Sequence, residues 1–383
     1  MAQALYIHWP FCLKKCPYCD FNSHVRAEVD HALWARSLLS DMQYEAELAG
    51  GDALHSIFFG GGTPSLMPPS LVAELLTGAE KLWGFDPAIE ITLEANPTSF
   101  EAAKFRDLAA AGVNRVSLGI QSLDDDALRF LGREHSVDEA LAALDEAQKL
   151  FERTTFDLIY ARPGQTADEW PAELTRALSF GTSHLSLYQL TIEPGTRFAT
   201  DARIGALEPM EGDDAAALYT LTQDMTRAAG LPAYEISNHS ASGQESRHNL
   251  TYWRYRDYCG IGPGAHGRRG GNAVQRHKKP ENWLAAVADR GEGIADLRTL
   301  PPHEQASEAL LMGLRLTEGV DIQALARRTG IAASALLDAT KVALYTDLGL
   351  VWQRGDTLGV TAAGMPLLDG LLGELVADEL LGA

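Results

Sequence analysis

Cysteine is scarce in this chain, with four in 383 residues. A chain of that length buries a core without covalent staples, so a disulfide-held scaffold is excluded. Cations are also outnumbered: 32 lysines and arginines stand against 52 aspartates and glutamates, a net charge of −20. Such a surface repels polyphosphate backbones, and nucleic acid is not expected as a partner. No apolar run reaches the roughly 18 residues of a membrane-spanning helix, which leaves open only peripheral association, as with an inner membrane. Internal repeats and low-complexity tracts are missing as well. The opening MAQALYIHWP has no charged-then-apolar leader, so the expected compartment is the cytoplasm.

What cysteine there is lies concentrated. Cys12, Cys16 and Cys19 fall within eight residues, and three thiols, an odd number, point to a metal rather than to disulfides. A structural zinc site usually closes with four ligands in two pairs and gains nothing from a third thiolate in the same loop. A four-iron cubane accepts three cysteines from one short loop and leaves one iron open to a ligand from outside the protein. Zinc, or three unrelated buried thiols, stays as the blander reading. Cys259, 240 residues beyond Cys19, reads as a reduced structural thiol.

Short β-branched or aromatic runs recur at Leu5–Trp9, Ser56–Gly60, Ile89–Glu94, Arg115–Ile120, Thr155–Tyr160 and His184–Leu190. Between them lie segments of helical periodicity: Asp30–Glu47, Pro69–Leu82, Phe100–Ala111, a short one near Asp124–Leu131, Ser136–Phe151 and Ala167–Ser179. Strands alternating with such helices predict an α/β fold, a parallel sheet rolled by right-handed crossovers into an open, partial (βα)6 barrel. Chemistry in such folds gathers on the loops after the strands. The cysteine loop follows the first strand, Gly60-Gly61-Gly62-Thr63-Pro64 the second, Glu94-Ala95-Asn96-Pro97 the third and Gly119-Ile120-Gln121-Ser122 the fourth, while Asp157 lies within the fifth. Bare glycine amides can approach a ligand closely. Glu94 and Asp157, carboxylates in apolar strands, need cationic or hydroxyl partners if buried, either a ligand's or a structural salt bridge's.

After a helix around Asp213–Ala229 come His248-Asn249-Leu250-Thr251-Tyr252-Trp253 and the glycine loop Gly260–Gly267, where aromatics and imidazole could hold something planar. From about Thr299 the chain predicts helices at His303–Leu314, Ile322–Thr329 and Ala333–Asp347, two strands at Leu350–Arg354 and Thr357–Thr361, and a last helix. Three helices and a β-wing suggest a small winged-helix-like C-terminal domain, without the basic stripe of a DNA reader. The expected division is 1–235 for the core, 236–298 for a connecting region with the aromatic motif and the glycine loop, and 299–383 for the C-terminal domain.

The CxxxCxxC loop resembles that of the radical S-adenosylmethionine (SAM) enzymes. The runs LYIHWPFC and CPYCDFNSH, with GGGTPS, EANP, GIQS, LGR, FDLIY, YQLTIEPGT and GIGPGAHG in order, are similar to the branch holding oxygen-independent coproporphyrinogen III oxidases and haem chaperones. The resemblance covers essentially the whole chain. It implies a [4Fe-4S] cluster on Cys12, Cys16 and Cys19, with SAM flanked by Tyr6 and Tyr18. The methionine part would be held by Gly61, Gly62 and Thr63, and the ribose and nearby groups by Glu94, Gln121, Arg133 and Asp157. The oxidases add a fourth cysteine two residues past the third, where this chain has Phe21. The chaperones carry HNxxYW, here His248, Asn249, Tyr252 and Trp253, implicated there in haem binding. The resemblance thus implies a haem chaperone that delivers haem to haem-dependent respiratory proteins. Oxidative decarboxylation of coproporphyrinogen III is the alternative activity and an iron-sensing regulator a remote third; a homodimer is left open. One departure stands out: the family's usual GLPGQ is Ala161-Arg162-Pro163-Gly164-Gln165.

Overall fold

The computed structural model describes residues 4–26, 28–50, 52–377 and 380. Its main sheet has six consecutive parallel strands: β1 (Ala4–Trp9), β2 (Leu54–Gly61), β3 (Phe85–Ala95), β4 (Arg115–Gln121), β5 (Arg153–Tyr160) and β6 (His184–Gln189). These are the six strands the sequence predicts. Two short edge strands extend them. β7 (Asn238–Ser240) runs antiparallel beside β6, and β8 (Cys259–Ile261) runs parallel beside β1. The sheet stays open, in the order β8-β1-β2-β3-β4-β5-β6-β7.

Strand side chains alternate between two faces. Leu5, Ile7, Ile57, Phe59, Ile91, Leu93, Val116 and Leu118 are buried in the main core with the flanking helices. The intervening residues, among them Tyr6, His8, Ser56, Phe58, Glu94, Ser117 and Asp157, meet one another on the concave face, where Tyr6 stacks against Phe58 and Ser117 bonds Asp157. The interior of the half-barrel is therefore polar and aromatic. Its helical jacket includes His31–Ala49, Pro69–Trp83, Val137–Leu150 and Glu169–Leu178. Ser136 starts the third of these with a reciprocal capping box to Glu139.

Two expected helices are broken. Phe100–Ala111 divides into Ser99–Ala102 and Phe105–Ala110. Ala333–Asp347 is a single 3-10 turn followed by a helix from Ala339, because Leu337 bridges to Val376 and Asp338 caps the amides of Thr340 and Lys341. HNxxYW, unassigned in the sequence reading, forms the short helix Arg247–Trp253 capped by Ser246. The glycine loop leads from β8 into a small antiparallel sheet, His266–Arg269, Asn272–Arg276 and Ile294–Thr299. Fully buried Arg276 ties that sheet to the first helix through Asp41 at 2.6 Å and Glu45 at 2.9 Å. A second core gathers Leu310, Leu325, Val351, Leu358 and Leu372 of the C-terminal residues together with Tyr255.

Candidate cofactor site

The loops at the C-terminal ends of the strands surround a cavity of about 1360 Å³. Cys12, Cys16 and Cys19 all line it as free thiols. The Cys12 thiol accepts from the Thr63 hydroxyl at 3.4 Å, and Cys16 from the Arg133 guanidinium at 3.4 Å. Loss of water raises the pKa values of Cys12 and Cys19, so a bound metal would supply the charge that makes them thiolates. Among the described residues no three His, Cys, Asp or Glu side chains converge as they would around a single ion. The thiols instead face a shared space, and a cubane holds its ligands on separate irons.

The glycine loop is shaped from beneath. Gly61 has φ +114°, and a Cβ there would lie 2.5 Å from the His8 ring; one on Gly62 would lie 2.7 Å from the Phe11 carbonyl. Side chains are excluded by the protein's own packing, and the amides are left bare toward the cavity. His8 is fixed in turn by the Tyr6 hydroxyl on Nδ1 and the Asn22 carbonyl on Nε2, both at 2.9 Å. Glu94 accepts from the Gly61 amide at 3.3 Å and Asp157 from the Ser117 hydroxyl at 3.4 Å. Such long bonds from neutral donors offset little of the cost of desolvation. Burial, then the nearby Asp157 charge, pushes Glu94 up to about 8. Asp157 is raised to about 6, chiefly by burial. Among the described residues neither carboxyl forms an ion pair, and both suit a ligand carrying hydroxyls or positive charge.

Gln121 and Arg133 complete this wall. Gln121 sits at φ +73°, a strained conformation for a side-chain-bearing residue. Arg133 donates to Asn96 at 2.5 Å and to the Gly119 carbonyl at 2.8 Å, while its buried Nε has no partner among the described residues. Of the residues expected around SAM, Tyr18, Gly61, Gly62, Thr63, Glu94, Gln121, Arg133 and Asp157 meet at the cavity. Tyr6 lies below it, under the glycine loop, against Phe58 and His248.

The HNxxYW residues are elsewhere. Their helix plugs the opposite end of the half-barrel, where Glu90 accepts from the His248 amide at 3.2 Å, from Ser246 and from Arg153. His248 is 1 % exposed; Nδ1 pairs with Ser56 at 3.0 Å and Nε2 with Tyr252 at 2.6 Å. Burial pushes its pKa down to about 3. The ring is neutral, as a metal ligand must be, and in this conformation both nitrogens are engaged. Ser56 lies near the start of the strand that ends at the glycine loop, five residues and about 16 Å away at the usual rise. Trp253 leans toward Arg315, and Asn249 is half-buried.

Arg162 is a strut. It donates to the Ile159 carbonyl at 2.7 Å and to Glu173 at 2.9 Å, and Glu173 also accepts from Ser122 and the Leu123 amide. Cys259 is fully buried on β8, away from the other three thiols. The sequence reading missed His8, whose position two residues after Tyr6 on a strand marks the same face. It also missed the far wall of the cavity, supplied by Tyr345, Leu350 and Met365–Leu371. Nothing in that mainly apolar stretch signals that it shares a cavity with a loop more than 300 positions earlier.

Residues 6–176 match the Radical SAM superfamily, and residues 300–367 the HemN C-terminal domain. Over 384 residues the chain is 42% identical to the heme chaperone HemW of Escherichia coli, covering 98% of each. The chain belongs to the HemW family of radical SAM proteins. The HemW of Bacillus subtilis is 32% identical, with 100% of this chain and 98% of that protein aligned. A mitochondrial radical SAM domain-containing protein 1 of Danio rerio is 39% identical over 84% of this chain and 75% of its own length. The crystal structure of E. coli coproporphyrinogen III oxidase (HemN) superposes with a TM-score of 0.82 at 21% identity, over 97% of this chain and 89% of that one. That likeness establishes the shared fold. Membership of the HemW family implies a [4Fe-4S] cluster and SAM. The three thiols on one cavity, the orphaned Arg133 Nε and the Gly61–Gly62 cradle fit both.

Proposed function

We propose that this chain is a haem chaperone, which binds haem and transfers it to haem-dependent respiratory proteins. Identity over nearly the full length to proteins named for that role carries the reading. The loop adds to it, because Cys19 is followed by Asp20 and Phe21 rather than by a fourth closely spaced cysteine.

When bound, a four-iron cluster with SAM on its open iron supplies one-electron cleavage of the sulfonium. Cys12, Cys16 and Cys19 would hold the cluster, with Thr63 and Arg133 hydrogen-bonded to the sulfurs. Gly61 and Gly62 would present amides to the methionine carboxylate, and Tyr18 would close over the cofactor. Glu94, Gln121 and Asp157 would accept from the ribose hydroxyls and the amine. Among the described residues no helix is long and apolar enough to cross a membrane, so delivery at a membrane would be peripheral.

Anaerobically reconstituted protein, given haem and coproporphyrinogen III separately, tests the reading. It should take up haem stoichiometrically and form no protoporphyrinogen IX. Conversion of coproporphyrinogen without haem uptake would make it an oxidase.

A further inference from the structure

The cavity holds more than one small ligand would fill. A pocket for one small ligand usually holds roughly 300–1,000 Å³, whereas this one holds about 1360 Å³. The residues suited to SAM are all on the barrel side. The opposite side is mainly apolar: Leu350, Met365, Leu367 and Leu371 line it beside Asp369 and Glu374, which pair with Arg315 and Lys341, and Leu367 is 55% exposed. Apolar side chains gathered on one wall of a concave surface mark a place where something apolar docks. Lys14 and Lys15 stand exposed among the lining residues, Lys14 within 3.8 Å of Glu134, two adjacent cations on a chain of net charge −20.

We propose that haem seats in the outer half of this cavity, flat against Leu350, Met365 and Leu367, with its propionates toward Lys14 and Lys15 and the Met365 thioether toward its iron. The inference rests on the chaperone reading and gives it a site. A flat apolar macrocycle with two carboxylates at one edge matches that wall and those lysines. Of the side chains able to ligate iron, Met365 needs no deprotonation. The Tyr219 phenol would, and burial opposes it by raising its pKa to about 12. His248, the ligand the motif suggests, is walled off at the other end with both nitrogens occupied.

The test is haem titration of the reconstituted full-length protein, followed by the Soret band, with iron content and SAM affinity measured in parallel. Leu367→Glu, an exposed substitution that spares the fold, should weaken haem binding tenfold or more and leave iron and SAM unchanged. Met365→Leu, which keeps the packing and removes the sulfur, should shift the Soret maximum. His248→Ala, compared at equal folded fraction, should leave that maximum where it is. The proposal is overturned if both wall variants bind haem as wild type does, or if His248→Ala alone loses the band; in the latter case the floor helix must open to hold the haem. Failure of the wild type to take up any haem would instead remove the chaperone reading, and the site with it.

Discussion

The two ends of the half-barrel are built from the same strands and obey opposite rules. At the floor, the buried charges are paired. Glu90 is 2 % exposed and accepts from Arg153 at 2.5 Å, from Ser246 and from the His248 amide, with Arg115 4.0 Å away. His248 has a partner on each nitrogen. At the rim, Arg133 keeps an unpartnered buried nitrogen, Glu94 and Asp157 hold protons well above the usual carboxylate range, and Gln121 and Ala161 sit at positive φ. Buried carboxyls without an ion-pair partner are costly, and folding alone gives no reason to gather two of them on one wall. The difference teaches that the floor serves stability and the rim waits for ligands.

The largest expected effect strikes the floor. Glu90→Ala would leave Arg115 and Arg153 buried without their shared carboxylate, a loss of about 3–5 kcal/mol. Denaturant unfolding should show it, while iron bound per folded molecule stays constant. A smaller effect concerns the rim. Glu94 and Asp157 bind protons more tightly in the fold than in the unfolded chain. As pH rises from about 5 to 8 the unfolded chain has already released them, so the ligand-free fold loses stability. Glu94→Gln removes its share, and calorimetry should find the variant's melting temperature gaining on wild type across that window. A constant gap would mean that Glu94 is ionised in the fold. The smallest effect is a gain: Ala161→Gly relieves the φ of +55° and should stabilise by about 1 kcal/mol, with SAM affinity unchanged.

The rim was legible from sequence because short-range signals coincide there. Cysteine spacing, glycine runs at strand ends and carboxylates inside apolar strands each state a chemical need within a few residues. The six parallel strands were legible for the same reason, since apolar runs alternate with helical periods. β7 and β8 were not, because three-residue edge strands carry no periodicity and exist through pairing with β6 and β1. HNxxYW was legible as a motif but not as a plug. That role depends on Ser56 and Glu90, residues 192 and 158 positions away. The Ala161-Arg162 departure became intelligible only with Glu173 in view, since the cation answers a carboxylate on the next helix.

The claim that the rim end carries the chemistry is tested most directly by iron content in four single variants. After anaerobic reconstitution, Cys12→Ala, Cys16→Ala and Cys19→Ala should each lose the cluster and its brown absorbance. Cys259→Ala, altered in the packed edge strand, should keep the iron of wild type. A Cys259 variant without its cluster, or any loop variant that retains one, would contradict the account.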